Sequence, residues 1–149
     1  MMQYSHVVSL PRPSRRWLRA TAAALGLAAC KDHPPGCISL ASACEPAYPP
    51  TFENVYNRTI APKCGSDGNA CHSVKGMRGG LVMNNQAAAY TNLLAGGNRR
   101  VVANDAACSG MVVRLSGHGH PWVMPPEHPL SEAEQCAVRM WIQNGAIGP

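Results

Sequence analysis

The sequence LSEAEQCAVRMWIQNGA, residues 130–146, contains the strongest helix signal in the chain. Ser131, followed three residues later by Glu134, forms a capping-box pattern, and acidic residues in the first turn suit the positive end of the helix dipole. Gly145 is the residue type that most often follows a helix end. The apolar positions fall on one face and predict a stripe that packs on a core: Ala133, Cys136, Ala137, Met140 and Trp141.

Three shorter helices are predicted upstream. Apolar residues recur at helical spacing from Phe52 to Ile60, with Thr51 as N-cap and Pro62 as the stop. A second helix covers residues 85–95, ends at Gly96 and has four inward residues: Ala87, Tyr90, Leu93 and Leu94. Ser109 opens a third, short helix that carries Met111, Val112 and Leu115. No alternating pattern is long enough for a strand, so the predicted fold class is all-α.

Residues 1–29 are typical of a signal peptide, with a basic start and an apolar run at 20–29 that is too short to cross a bilayer. The run ends in Leu27-Ala28-Ala29-Cys30, which resembles a bacterial lipobox, in which the cysteine receives the lipid. The sequence therefore predicts an exported lipoprotein, anchored through Cys30 and facing the periplasm. Lys31, rather than an aspartate, favours the outer membrane. The alternative is an ordinary signal sequence with an incidental cysteine.

The charge of the chain changes when this segment is removed. Nine lysines and arginines then face eight acidic residues, so the mature chain is nearly neutral. That balance argues against nucleic acid as a partner, because a basic surface is what such binding requires. Residues 30–50 are rich in Pro, Gly, Ser and Ala and are expected to form a lipid-anchored tether. The folded domain is expected to cover residues 51–149.

Several residues that carry chemistry lie within this domain. His72 directly follows Cys71, Cys64 precedes the pair, and Met124 lies some fifty residues downstream, followed by two prolines. Thioether anchors, one nitrogen ligand and one sulfur ligand are what covalently attached haem iron requires. Large apolar side chains are few for a domain of this size, which is a further reason to expect a staple or a buried cofactor.

Residues 51–149 resemble the class I cytochrome c domains of planctomycete and myxobacterial secreted proteins. The resemblance rests on the succession I-A-P-K-C, C-H, G-G-L, M-P-P, L-S-E-A-E and W-I-Q-N-G-A. It implies a small helical cytochrome c-like fold in which Cys64 and Cys71 bind haem c and His72 and Met124 ligate the iron. The function that it implies is one-electron transfer by a carrier, rather than enzymatic catalysis, with a redox partner that the sequence does not identify.

The cysteine spacing departs from that family, because six residues separate Cys64 from Cys71 where the family has two. The inserted residues are small and include Asp67-Gly68, a turn-forming pair that would let the excess bulge away from a haem. Enlarging a flexible loop from two to six residues costs about 1 kcal/mol. A single thioether through Cys71 is one alternative. Another is a disulfide between the two cysteines in a haem-free, disulfide-stapled structural or interaction domain.

The other cysteines of the mature chain number four besides Cys30, and an even count in an exported protein predicts disulfides. The expected pairs are Cys37 with Cys44, closing a small loop in the tether, and Cys108 with Cys136.

A second metal hypothesis comes from a cluster of potential copper ligands in one Gly/Pro-rich stretch: His118, His120, Met124 and His128. The alternative is that these are exposed loop histidines. Zinc at Cys64, Cys71 and His72 is disfavoured, because adjacent side chains seldom chelate one ion and a second ligand pair is missing. The remaining methionines considered are expected to pack in the core: Met77, Met83, Met111 and Met140.

Overall fold

The computed structural model describes residues 34–65, 71–95 and 97–149. Helices and turns account for the regular structure of these residues, and no strand occurs among them, which confirms the all-α class. The predicted signal peptide, the predicted lipid attachment at Cys30, the predicted turn at Asp67-Gly68 and the predicted helix stop at Gly96 lie outside the described residues. None of the helices in the described ranges has the length and apolarity that spanning a bilayer would need.

The first helix, α1, covers Phe52–Val55 and continues without interruption as a π-helix over Tyr56–Gly65. Thr51 is its N-cap, as predicted, and its hydroxyl accepts the backbone N–H of Asn54 at 3.3 Å. The expected end at Pro62 is wrong, since Pro62 lies inside the π-helix. Proline is incompatible with an α-helix because its ring meets the carbonyl four residues earlier, and the wider π turn moves that carbonyl away.

Helices α2 (Gln86–Leu94) and α3 (Gly110–Leu115) lie close to their predicted positions. Asn85 caps α2 by accepting the backbone N–H of Ala88 at 2.8 Å. Leu93 is buried as expected, whereas Ala87 is exposed and the prediction that it faces inward is wrong. The buried small residue is Ala89, which lies one helical turn before Leu93 and so shares its face.

The last helix, α4, covers Glu132–Gln143 and has both halves of the predicted capping box. The Ser131 N–H donates to the Glu134 carboxylate at 3.0 Å, and the Glu134 N–H donates to the Ser131 hydroxyl at 3.3 Å. Gly145 follows the helix end with φ of +96°, a conformation that favours glycine. The buried face is wider than the predicted stripe and consists of Gln135, Cys136, Ala137, Val138, Trp141 and Ile142.

The core forms where α4 packs against α1 and α3. At its centre the Phe52 ring lies 5.1 Å from the Trp141 ring and 5.0 Å from the Tyr90 ring, centroid to centroid. Met83 is buried in this core and Met111 packs against it, as predicted. Met77 is 53% exposed, so the expectation that it packs inside is wrong.

The segment 34–50 is held on the helices, which differs from the free tether that its composition suggests. The Ile38 N–H donates to the Ala107 carbonyl at 3.0 Å, and the Ala47 N–H donates to the Ala133 carbonyl at 2.9 Å. Tyr48 is buried, and its hydroxyl hydrogen-bonds to that of Thr59. The aromatic ring and these backbone contacts give the segment a fixed place on the fold.

Two disulfides complete this attachment, and their pairing corrects the predicted one. Cys37 bonds to Cys108 and Cys44 bonds to Cys136, across sequence separations of 71 and 92 residues. The expected local pairs, Cys37 with Cys44 and Cys108 with Cys136, are therefore wrong. The physical reason is that segment 34–50 lies along the helices and places each of its cysteines against a different part of the domain.

Candidate functional site

Cys64 and Cys71 are free thiols in the structure, each half-buried. All four of the other described cysteines are used in the two disulfides. A disulfide between Cys64 and Cys71, which the sequence left as an alternative, is not formed. The two thiols expected to carry a cofactor are therefore the two that remain available.

The end of the π-helix lies beside the Cys71-His72 turn, although seven positions separate Cys64 from Cys71 along the chain. The backbone N–H of His72 donates to the Cys64 carbonyl at 3.2 Å. Gly65 lets the end of the π-helix lie against Met83, because a Cβ at that position would lie 2.2 Å from the Met83 carbonyl oxygen. Met83 in turn donates its N–H to the His72 carbonyl at 2.8 Å. Three chain segments thus meet around the candidate cysteines and histidine.

The His72 ring is oriented by a backbone carbonyl. Its Nδ1 lies 3.3 Å from the Leu81 oxygen, and the ring also makes a backbone hydrogen bond with Arg78. Metal-binding histidines usually have such a partner on the second nitrogen, because it fixes both the tautomer and the ring plane. Burial lowers the pKa of His72. Backbone hydrogen bonds with Leu81 and Arg78 oppose this shift, and the charges of Arg100 and Arg114 add a smaller lowering. The neutral imidazole that results is the form that binds metal.

The Cys64 side chain is partly buried. Burial raises the pKa of Cys64 to about 11, against the nearby charge of Lys63, which lowers it. The side chain therefore remains a protonated thiol at neutral pH. Lys63 is itself engaged in an ion pair with Glu134 at 2.6 Å, which ties the end of the π-helix to the start of α4.

Met124 is half-buried in the loop between α3 and α4, and its backbone is fixed to α3. The Met124 N–H donates to the Arg114 carbonyl at 3.1 Å, while the Arg114 side chain donates to the Trp122 carbonyl at 3.3 Å. Trp122 packs so closely on Gly117 that a Cβ there would lie 2.2 Å from the indole ring. Burial is the main cause that lowers the pKa of His72, and the charge of Arg114 is the smallest of the causes that act on it.

Gln135 holds the same loop from the side of α4, a role that the sequence analysis missed. Its side-chain nitrogen donates to the Leu130 carbonyl at 2.9 Å and lies 2.8 Å from Nε2 of His118. The side-chain oxygen lies 3.4 Å from the Ser116 hydroxyl. Gln135 is polar in sequence yet buried, and its position one turn before Arg139 on α4 gave no signal of this network.

The histidines proposed for copper are engaged in other contacts or exposed. His118 bonds to Gln135, His120 stacks on Trp122 with 4.8 Å between ring centroids, and His128 is exposed. In the ranges that the structure describes, no group of three or more His, Cys, Asp and Glu residues is arranged to hold a metal ion. A haem site with two axial ligands is not such a group, and this observation does not bear on it.

Comparison of the chain with protein-family models, with curated proteins and with solved structures found no match.

Proposed function

We propose that this chain is an exported c-type cytochrome with a small cytochrome c-like domain that transfers single electrons. The observation that carries the proposal is the arrangement around His72. The His72 imidazole is neutral and is oriented by the Leu81 carbonyl. The backbone N–H of His72 donates to the Cys64 carbonyl, and His72 directly follows Cys71, so the two unpaired cysteines flank it. Disulfides made by the other four cysteines are what keep these two thiols available.

The donor set of the site fits a covalently attached haem. Cys64 and Cys71 would hold the group by thioether bonds, and His72 and Met124 would ligate the iron. When bound, this group would supply a one-electron redox centre, and a His/Met ligand pair would favour electron transfer over oxygen chemistry. The protein contributes the orientation of His72, through Leu81, and the fixed backbone of Met124, through Arg114.

The test is to export the full chain together with haem-attachment machinery and to measure its absorption spectrum before and after denaturation. Covalent haem stays with the denatured chain, and His/Met ligation gives a low-spin spectrum. Met124→Ala should keep the haem, lower the midpoint potential and admit carbon monoxide, because thioether ligation favours reduced iron. His72→Ala should lose stable haem incorporation.

Matched controls are available for both ligands. Met77→Ala removes an exposed methionine and His128→Ala removes an exposed histidine, so both should leave the spectrum unchanged. Wild-type protein without covalent haem, in cells that mature another c-type cytochrome, would contradict the proposal. Metal loss in His118→Ala or His120→Ala, with His72→Ala indifferent, would instead support the copper hypothesis.

A haem-free structural or interaction domain is the second candidate function. The observation that favours it is the pair of long-range disulfides, which tie segment 34–50 to the domain and could stabilise a thin core without a cofactor. Under this function neither His72→Ala nor Met124→Ala changes any visible absorption band, so the same experiment distinguishes the two.

We propose further that the mature chain is a lipoprotein on the periplasmic face of a membrane, attached through Cys30. The support is the Leu27-Ala28-Ala29-Cys30 sequence at the end of an apolar run. Cys30→Ala should move the protein from the membrane fraction to the soluble periplasm or leave an unprocessed precursor. Lipid labelling of the variant at the wild-type level would refute the anchor.

A further inference from the structure

Only a short length of chain separates the proposed lipid anchor from the folded domain. Cys37 is bonded to Cys108, and the Ile38 N–H donates to the Ala107 carbonyl, so the chain is fixed to the domain from Cys37 onward. Cys37 lies seven positions after Cys30, and a chain of that length spans at most about 25 Å when fully extended. A lipid on Cys30 would therefore keep the domain beside the bilayer, with the Cys37–Cys108 disulfide as its point of attachment.

An exposed loop, residues 97–100, lies beside this point of attachment. Gly110, two residues after Cys108, donates its backbone N–H to the Arg99 carbonyl at 2.8 Å. The Arg99 side chain is exposed to solvent. The loop and its charge are therefore close to the place where the anchored chain joins the domain.

A turn, residues 73–80, continues this surface. Arg100 of the loop donates from Nη2 to the carbonyls of Gly79 and Gly80, at 3.0 and 3.3 Å, so the loop and the turn are held together. The turn is closed by the Gly80 N–H, which donates to the Met77 carbonyl at 2.9 Å. The disulfide, the loop and the turn thus follow one another along the surface.

Basic and apolar side chains are exposed together on the loop and the turn. Residues 71–104 contain four basic residues and no acidic one. Three of the four have exposed side chains: Lys75, Arg78 and Arg99. Val74 and Met77, on the same turn, are 60% and 53% exposed. These five side chains form the basic-apolar surface.

We propose that the basic-apolar surface binds anionic phospholipid headgroups, so that the anchored domain lies with this surface on the bilayer. The inference rests on the proposed lipid anchor, because the short chain after Cys30 is what brings the domain to the membrane. A basic patch is a common second membrane signal beside a lipid chain, and exposed apolar side chains enter the boundary between headgroups and acyl chains. An acidic protein would match the charges equally well, but the position of the surface beside the anchor favours lipid.

The experiment uses the lipidated, exported protein in vesicles of phosphatidylcholine alone or of phosphatidylcholine with phosphatidylglycerol. Mass spectrometry of the N-terminal peptide first shows whether Cys30 carries a lipid. The measured quantity is the rate at which a water-soluble reagent acetylates the Lys75 amine, because contact with lipid shields that amine. Acetylation should be slower on the anionic vesicles. Salt at about 1 M should restore the rate, since the Debye length is then only about 3 Å.

Single substitutions test the charges and the apolar side chains separately. An arginine near an anionic surface contributes a factor of about five to the ratio of bound to unbound protein, so Arg78→Gln and Arg99→Gln should each lower that ratio about fivefold. Arg58→Gln removes an exposed charge from the π-helix and is the matched control, which should resemble the wild type. Val74→Ser with Met77→Ser keeps every charge and should also speed acetylation.

The wild type alone decides the question if a variant is unstable. Equal acetylation rates of Lys75 on the two kinds of vesicle would overturn the inference. An effect of Arg58→Gln as large as that of Arg78→Gln would also overturn it, because net charge rather than this surface would then cause the binding. Shielding in native membranes but not in pure lipid vesicles would assign the surface to an acidic protein instead. An N-terminal peptide without lipid is a different result, because it refutes the proposed anchor itself and the inference falls with it.

Discussion

Replacing Cys44 and Cys136 together by alanine is expected to cause a large loss of stability. Their disulfide spans a sequence separation of 92 residues. In the chain-entropy estimate, a cross-link that closes a loop of that length raises the free energy of unfolding by about 4.5 kcal/mol, and the variant loses this contribution. Cys136 is also fully buried, so its truncation removes packing as well. The total is comparable to the whole stability of many domains of this size.

The assay is guanidinium denaturation under non-reducing conditions, followed by the fluorescence of the tryptophans, of which Trp141 is buried in the core. The variant should have a lower midpoint and a larger slope, because the uncross-linked chain exposes more surface on unfolding. Cys37→Ala with Cys108→Ala removes the shorter bridge, of separation 71, and should cost about as much. The four-cysteine variant should cost less than the sum of the two, because the two loops overlap between residues 44 and 108.

A tryptic digest without reduction checks the pairing on which this reasoning depends. Trypsin has no site between Cys37 and Cys44, so both lie on the peptide 32–58. The observed pairing joins that peptide to 101–114 and to 115–139 as a three-peptide product. Local pairing would leave 32–58 alone, with an internal disulfide, and would join the other two. Recovery of the second pattern, or a loss below about 1 kcal/mol in the alanine variant, would refute the argument.

Two further predictions concern the contacts that fix the site. Burial opposes ionisation of Glu134, but hydrogen bonds from Lys63 and Ser131 outweigh it and lower the pKa of Glu134. The contribution of the Glu134 carboxylate to stability is therefore fully present above the pKa of the unfolded chain, about 4.3, and is lost as the pH falls through the pKa of the folded protein. Glu134→Gln should therefore cost about 1 kcal/mol at neutral pH and little at pH 3, measured by denaturation at both; an equal cost at the two would contradict the ionic role. Gly117→Ala should cost about 1–3 kcal/mol of stability, because the new Cβ would collide with Trp122. Thermal melting of this variant is compared with that of Gly119→Ala, where φ is positive and the space is open, so the comparison separates collision from backbone strain.

The parts of the fold that the sequence predicted are those with local signals. The capping box of Ser131 and Glu134 and the N-caps Thr51 and Asn85 depend on side chains within three residues of the backbone groups that they satisfy. A helix start is therefore visible in a short window of sequence. Pro62 shows the limit of such signals, because its effect depends on whether the turn is α or π, and that is decided by how the chain packs.

The cysteine pairing could not be predicted in the same way. Composition made residues 30–50 look like a linker, and proximity in sequence made Cys37 and Cys44 look like partners. Both inferences omit the tertiary contacts of the segment, such as the burial of Tyr48 and the hydrogen bond from Arg139 to the Ala41 carbonyl at 2.8 Å. These contacts hold the segment along the domain, so that Cys37 meets Cys108 in the turn before α3 and Cys44 meets Cys136 in α4.

The candidate site was predicted as a set of residues, whereas its support was not. Cys64, Cys71, His72 and Met124 stand out by residue type, but nothing in the sequence indicates that Leu81 orients His72 or that Arg114 holds Met124. Both interactions use backbone carbonyls, and every residue has one. Only the fold determines which carbonyl lies next to which group, so a sequence motif cannot predict the orientation of these side chains.

The proposal of a cofactor depends on the free state of Cys64 and Cys71. The two disulfides would staple the fold with or without a cofactor, and they leave Cys64 and Cys71 unpaired. Exchange with the existing disulfides requires a thiolate, and the raised pKa of Cys64, about 11, makes that form rare at neutral pH. The backbone of the same residue is fixed separately, because the Cys64 carbonyl accepts the His72 N–H at 3.2 Å. The close approach of the π-helix to the Cys71-His72 turn thus holds the Cys64 backbone beside His72, while burial keeps its side chain in the thiol form.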